Sequence, residues 1–491
     1  VLAADIAAPA LRGGEILSAR AGITEEKDTK VASVSYWFLS PSLLLAVIGK
    51  LRGWERTEPT PAVDWRSMAV DVAIPAKNEE ATIAFCLSSL FRQDFPIRKV
   101  TVFDDASTDH TAEIVRQFRE LSGRNVELVT RPESVGKTPT LREQCRKTDA
   151  DALMVVDADT VLVSPNYISR LIEELFNNAG VASACGEVMP LTDDRKYMLL
   201  AGDTALQTLL RNDGSWPPRT SWLQSWLVKV TILYRRALYL MLQRVFYDGH
   251  LKLFGAQLNP VGCAVAYKTE RLRECFSYAE PRVGDNLSTS EDIYIGHFFN
   301  WKGYRNFQVA GVRCESTEPS LTRLPRQLFL WSSAFLQSLH YFKDLPLSPF
   351  RYVKNFVRGG VGGNRPSGEN GSDRRKIQEQ YRAVWGEEFT RRHGRAIGFL
   401  ELTSLLEKIS YPLILVFLVI FSPETALLTV CVEAVASSAL VCLMADRGTR
   451  LRFAGAMLAA TPVRLLSMGV DLVAVLGFLS DLALGNRKWK K

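Results

Sequence analysis

The chain has 491 residues, 47% of them apolar, with 60 Lys and Arg against 53 Asp and Glu for a net charge of +7. That length exceeds one ordinary domain, and the cationic excess recurs beside apolar stretches (Arg52 and Arg56; Arg447, Arg450 and Arg452; Arg487, Lys488, Lys490 and Lys491) instead of forming one block. Such spacing fits a cytoplasmic membrane surface and argues against nucleic acid. The eight cysteines include no C-x-x-C and no His pairing, so neither a zinc site nor a disulfide framework is expected.

Residues 1–30 mix charge, Gly and Ala with little periodicity and read as a mobile leader. The apolar stretch within 31–51 is interrupted by Pro41 and several serines and is marginal against the ~20 residues a spanning helix needs. It reads equally as a first membrane helix or an interfacial anchor. A charged linker follows to Arg66.

From Ala69 the pattern becomes that of an α/β domain. Short apolar runs at Ala69–Ile74, Lys99–Phe103, Val126–Thr130 and Leu153–Val156 alternate with helical stretches at Glu79–Arg92 and Thr111–Leu121. This alternation predicts a parallel sheet with crossover helices. Ligands of such sheets bind beyond the carboxyl ends of the strands. The fourth run ends in Asp157-Ala158-Asp159, two carboxylates two positions apart, which suit Mg²⁺ or Mn²⁺ holding nucleotide phosphates; the alternative is a solvated turn. The second run ends in Asp104-Asp105-Ala106-Ser107-Thr108-Asp109 and the first in Pro75-Ala76-Lys77-Asn78-Glu79. Helix capping is the simpler account of each cluster taken singly; three together, two with paired carboxylates, favour a site. Val135-Gly136-Lys137-Thr138 is half a P-loop, but Arg131 stands where the first glycine belongs, so an ATPase is excluded.

In this order and spacing, Ile74-Pro75-Ala76-Lys77-Asn78-Glu79, Asp104 to Asp109, Gly136-Lys137 and Asp157-Ala158-Asp159 resemble family 2 glycosyltransferases. Downstream, Gly262-Cys263-Ala264-Val265-Ala266-Tyr267-Lys268 resembles the family's acceptor-side glycine segment, and Ser290-Glu291-Asp292 its Glu-Asp motif. Gln327-Leu328-Phe329-Leu330-Trp331 resembles the Gln-x-x-Arg-Trp of membrane-embedded polysaccharide synthases (hyaluronan, chitin-oligosaccharide, cellulose and poly-N-acetylglucosamine synthases), with Leu330 in place of the arginine. The resemblance covers residues 69–340. It implies an α/β GT-A (Rossmann-like) catalytic domain accompanied by interfacial and transmembrane helices. It further implies a UDP-sugar donor, a saccharide or lipid-linked acceptor, and inversion at the transferred carbon. Asp292 is then the general base with Glu291 in support. Asp159 and Asp157 hold the metal, and Pro75, Lys77, Glu79, Asp104, Asp105, Lys137 and Asp157 line the donor site. Gly262, Cys263, Gln327 and Trp331 face the acceptor. Leu330 leaves long-chain processivity open, and single transfer to a lipid carrier or a non-catalytic membrane scaffold of the same fold stand as alternatives.

The implied domain runs over 69–315, followed by interfacial helices with the Gln-x-x-x-Trp segment at 316–357 and a Gly-rich mobile loop at 358–376. Ser225–Phe246 alternates apolar residues with Lys229, Arg235, Arg236 and Arg244 and reads either as a basic helix lying on a membrane or as an ordinary solvated face. Leu402–Phe421 and Thr425–Ala445 are strongly apolar and turn at Ser422-Pro423-Glu424, so 402–445 is expected to be a transmembrane hairpin. The arginines after it place its end, and with it the catalytic domain, on the cytoplasmic face of an inner or plasma membrane. Residues 453–491, interrupted by Pro462, Arg464 and Asp471, are expected to be an interfacial or re-entrant segment with a basic tail.

Overall fold

The computed structural model describes residues 40–52, 64–178, 180–213, 221–284, 287, 290–350 and 397–485. The leader at 1–30, the Gly-rich segment at 358–376 and the terminal basic residues lie outside the described residues.

Four parallel strands open the domain: β1 (Val70–Ala76), β2 (Lys99–Asp104), β3 (Val126–Thr130) and β4 (Ala152–Val156). They follow the sequence expectation to within two residues at each end. Helices α1 (Pro41–Arg52), α2 (Ile83–Leu90), α3 (Thr111–Ser122) and α4 (Lys137–Lys147) precede or connect them. Strands β5 (Thr160–Leu162), β6 (Val181–Pro190), β7 (Ala264–Lys268) and β8 (Arg305–Ser316) extend the sheet to the order β3-β2-β1-β4-β7-β6-β8-β5. Alternating side chains divide between the two faces, as a period of two requires. Val72, Ile74, Met154 and Val156 pack into one core, and Ala73, Phe103, Leu153 and Val155 into the other.

Two antiparallel pairings position the site. β7 runs against β4, with Val156 opposite Ala264, so the start of β7 meets the end of β4. The end of β8 runs against β5, with Ser316 opposite Thr160. Residues more than a hundred positions apart therefore converge beyond the carboxyl end of β4. Around the sheet lie α5 (Tyr167–Asn177), α6 (Asp193–Ala201), α7 (Thr204–Asp213), α8 (Trp222–Met241), α9 (Asp248–Phe254), α10 (Thr269–Ala279), α11 (Glu291–Lys302) and α12 (Leu324–Tyr341). Tyr167 fastens the layers: its hydroxyl donates to Ala264 O and accepts from Gly186 N, both at 2.9 Å.

The C-terminal part is helical: α13 (Ile397–Phe421), α14 (Pro423–Met444), α15 (Arg450–Ala459) and α16 (Thr461–Ala483). Helices α13, α14 and α16 are each long and apolar enough to cross a membrane. The hairpin turns at Ser422, and Pro423 opens α14 where its missing N–H costs nothing. The sequence predicts interfacial or re-entrant pieces for the final segment. The chain does break at Ala460, next to Pro462, but the second piece is one continuous helix of 23 residues. Two of its three charged residues are paired within the bundle, Asp471 with Lys408 at 2.6 Å and Arg464 with Glu433, and pairing lowers the cost of a charge in an apolar layer. α1 is short, 12 residues, and Ser40 just before it and Ser42 within it bind Glu407 of α13.

Candidate active site

The two loops at the carboxyl ends of β1 and β2 are sewn together by short polar side chains. Asn78 N donates to Ser107 Oγ and Thr108 N to Asn78 Oδ1, while Glu79 N donates to Thr111 Oγ1 and Glu80 N to Asp109 Oδ2. Asn78, Ala106 and Ser290 are the non-glycine residues with positive φ among the described residues, at 57°, 57° and 54°. Each belongs to a loop singled out from the sequence. Strain of this kind persists where surroundings overdetermine a backbone, as they do at functional sites.

Asp105 holds the turn before α4. Its carboxylate accepts Ser134 Oγ at 2.6 Å, Val135 N at 2.9 Å and Gly136 N at 2.9 Å. Burial works to raise its pKa, but these bonds and the Arg131 guanidinium hold it below the usual carboxylate range. Gly136, at φ 91°, starts α4 in a conformation that side chains resist. Arg131, which removed the P-loop reading, binds Glu143 at 2.8 Å and stands 3.5 Å from Asp105. Asp104 is buried and accepts Ser107 N at 3.2 Å; Lys77 is exposed and donates to Ser134 Oγ at 2.7 Å. Pro75 sits within β1 opposite Phe103.

Lys137 is the hub. Its Nζ lies 2.6 Å from Asp157 Oδ1, 3.0 Å from Glu291 Oε1 and 3.2 Å from Gly262 O. One ammonium thus joins the Asp-x-Asp, Glu-Asp and glycine segments. Burial opposes its charge, but Asp157 and Glu291 hold it protonated well above the ordinary lysine range. Asp157 N donates to Cys263 O at 2.8 Å, extending the β4–β7 ladder into the site. Asp159 is held from the β8 side: Ser316 Oγ and Thr160 Oγ1 donate to its Oδ1, and Thr317 N donates to its carbonyl. Burial, then the charges of Asp157 and Glu79, push the Asp159 carboxyl up to about 7. Burial likewise raises Glu79, whose Oε2 accepts Thr82 Oγ1.

Ser290, in the left-handed region, turns the chain into α11, so Glu291 and Asp292 occupy a first turn whose N–H groups favour negative charge. Burial and the neighbouring Glu291 push Asp292 up to about 7 against the pull of Lys137. Gly262 lies directly against this carboxylate.

Gln327 and Trp331 lie one turn apart on α12 and meet a residue that sequence reading did not place here. Arg235, expected on a basic helix face, is turned inward and 2% exposed, and its Nη2 donates to Gln327 Oε1 at 2.9 Å. Lys196 of α6 was also missed: burial lowers its pKa, while Asp159 and Glu79 oppose that shift, which puts it beside the same carboxylates. The hydropathy of α8 and α6 carries no signal for either position.

Residues 71–215 match the family described as Glycosyl transferase family 2. The chain carries a family 2 glycosyltransferase domain. A stretch of 134 residues is 34% identical to an N-acetylglucosaminyltransferase of Mesorhizobium japonicum, covering 27% of this chain and 30% of that protein. Another 111 residues are 29% identical to a poly-beta-1,6-N-acetyl-D-glucosamine synthase of Staphylococcus epidermidis, over 22% of this chain and 26% of the relative. The chain thus spans under a third of the length of these relatives. A mannosyltransferase of Pyrobaculum calidifontis, solved with GDP-Man and Mn²⁺, is similar over 92% of this chain and 98% of its own at 17% identity and a TM-score of 0.48. The GT-A assignment rests on the family 2 match and on the mixed sheet itself, with the carboxylates of the family 2 domain gathered at the end of β4.

The donor set fits a divalent ion. Asp157 and Asp159 present hard oxygens, and a cation would offset the burial and the repulsion from Asp157 and Glu79 that lift Asp159. Among the described residues no third Asp, Glu, His or Cys completes a cluster of three. A two-carboxylate set suits Mg²⁺, which typically keeps waters and takes substrate phosphates alongside one or two carboxylates.

Proposed function

We propose that the protein is a membrane-bound inverting glycosyltransferase that moves a sugar from a UDP-sugar to a growing saccharide. The observation that carries this reading is the Lys137 bridge, which sets the Asp157 and Glu291 carboxylates within 3.0 Å of one ammonium and so brings the donor-side and acceptor-side motifs into one crevice. Asp157 and Asp159 would hold Mg²⁺ or Mn²⁺, which when bound neutralises diphosphate charge on the leaving group. Asp292 takes the proton of the acceptor hydroxyl as that oxygen attacks the anomeric carbon. The bond from that carbon to the diphosphate oxygen breaks, its electron pair leaves with UDP, and attack opposite to departure inverts the centre. A base with pKa near the working pH is suited to this transfer. Glu291 lifts the Asp292 carboxyl while Lys137 pulls it back, and Lys196 adds positive charge beside Asp159.

The names of the relatives make UDP-N-acetylglucosamine the first donor to test. Nucleotide sugars are cytosolic, so the domain faces the cytoplasm and α13, α14 and α16 anchor it to the inner or plasma membrane. A single transfer to a lipid carrier is a second reading. It is favoured by the bond from Ser332, the residue after Trp331, to Asp471 in α16, which joins the acceptor-side helix to the apolar bundle. Incubating the purified full chain with a panel of UDP-sugars, with Mn²⁺, and measuring UDP release and product mass tests both readings. The expected result is metal-dependent UDP release that Asp292→Asn abolishes. Release unaffected by that substitution, or none from any UDP-sugar, defeats the proposal; a product of one sugar on lipid replaces it with the second reading.

A further inference from the structure

Arg235 belongs to none of the sequence motifs, yet among the described residues it heads the largest side chains sealed inside the protein. Besides its bond to Gln327, its Nε stands 3.5 Å from Glu318 Oε2, and its guanidinium carbon lies 5.1 Å from the Trp331 ring centroid and 5.6 Å from that of Tyr239. Glu318 is 5% exposed at its side chain, so charge is buried on both sides of the pair.

The partners of Arg235 border the cleft from two directions. Glu318 directly follows Ser316 and Thr317, which hold Asp159. Gln327 and Trp331 share a face of α12, and Trp331 remains 37% exposed. Between Gln327 and Trp331 stand Leu328, Phe329 and Leu330, so no cation lies between the two on α12. A buried ion pair adds little net stability over an apolar replacement. A planar guanidinium does fix geometry, through directed bonds and by stacking on an aromatic face.

We propose that Arg235 is a positioning residue for the acceptor side, a guanidinium brought in by α8 that fixes the Trp331 ring and Gln327 relative to Asp159. This rests on the glycosyltransferase reading and adds to it that the ring of an acceptor saccharide stacks on Trp331 only while Arg235 holds it. The bond, ion pair and ring contacts of Arg235 reach Gln327, Glu318, Trp331 and Tyr239 and none of the donor-side residues, so nucleotide binding does not need Arg235.

The test uses the full chain in detergent, labelled with 5-fluorotryptophan, with the Trp331 ¹⁹F resonance assigned by Trp331→Phe. In Arg235→Gln the Trp331 resonance shifts and broadens. With UDP-N-acetylglucosamine and a chitin trisaccharide as probe acceptor, the acceptor KM rises about tenfold while UDP affinity changes less than about twofold. In the Trp331→Phe background the same substitution adds less than about threefold, because coupled residues are not additive. Arg235→Lys keeps the charge but not the planar fork, gives intermediate values, and carries the test if Arg235→Gln does not fold. An unmoved Trp331 resonance, a loss of UDP affinity in step with acceptor affinity, or fully multiplicative effects in the double variant overturns the proposal. If the wild type transfers nothing to any acceptor the glycosyltransferase reading fails, and the resonance still decides whether Arg235 positions Trp331.

Discussion

Gly262 lies so close to Asp292 that a Cβ built on it would stand 2.6 Å from Asp292 Oδ2 and 2.8 Å from its Cγ. No real Cβ tolerates that distance, so the acceptor segment and the proposed base fit only because position 262 has no side chain. Gly262→Ala is expected to displace the Asp292 carboxylate and lower kcat by at least about tenfold, since small misplacement of reacting groups is costly. UDP affinity should change little. Steady-state kinetics with isothermal titration of UDP checks this, and an unaltered kcat would show that Asp292 accommodates the methyl without consequence.

The elevated Asp292 predicts the pH profile. The base works only when ionised, so kcat/KM should rise with pH and level off, with its midpoint near the value of about 7 to which burial and Glu291 push that carboxyl. Replacing Glu291 by Gln removes one raising charge and should move the limb to lower pH. A limb that stays in place in Glu291→Gln would assign it to another group.

Asp159 makes a prediction that needs no substrate. Its folded pKa of about 7 lies above its ordinary value, so the folded state holds the proton more tightly than the unfolded chain. This contribution to stability is full at acid pH and is lost as pH rises toward and through about 7. Metal-free protein should therefore melt at higher temperature as Asp159→Asn than as wild type at pH 8. Mn²⁺ should raise the melting temperature of the wild type and do so much less in the variant. Equal Mn²⁺ stabilisation of both proteins would remove Asp159 from the metal site.

His297 Nε2 on α11 lies 3.3 Å from Glu401 Oε2 on α13, with both side chains sealed from solvent. His297 Nδ1 also bonds Ser338 Oγ of α12 at 2.7 Å. The helix bearing the proposed base is thereby fixed to the first apolar helix. Glu401→Ala is expected to cost about 1–3 kcal/mol, because it leaves a buried polar group without its partner. His297→Phe combined with Glu401→Leu should recover much of that loss. Thermal unfolding of the three proteins in detergent is the measurement.

The last prediction is topological. α16 has 23 residues, and at 1.5 Å per residue they cover the ~30 Å apolar core of a bilayer. With Arg464 and Asp471 paired inside the bundle, we expect all three apolar helices to cross. In a background without native cysteines, single cysteines at Ser422 and Gly485 should then react with an impermeant maleimide from the same side, and one at Asp446 from the other. Gly485 reacting on the side of Asp446 would return the segment to an interfacial position.

The local layout was legible in the chain. Apolar runs of strand length fixed β1 to β4 by burial alone, and each run ended in the short polar residues that a crossover turn or a ligand crevice needs. Two apolar stretches of spanning length, separated by Ser422-Pro423-Glu424, likewise announced the hairpin. Tertiary structure decided which of these pieces meet. The antiparallel return of β7 laid Gly262 and Cys263 against Asp157, and the pairing of β8 with β5 carried Ser316 to Asp159 across a separation of 157 residues. It also turned Arg235 inward to Gln327, 92 residues away, whereas its alternation with apolar neighbours pointed to an outward basic face. Periodicity reports the face a residue shows to its own element. The partner waiting on the other side, here Glu318 and Trp331, is what makes burying a guanidinium tolerable, and that partner is set by the fold.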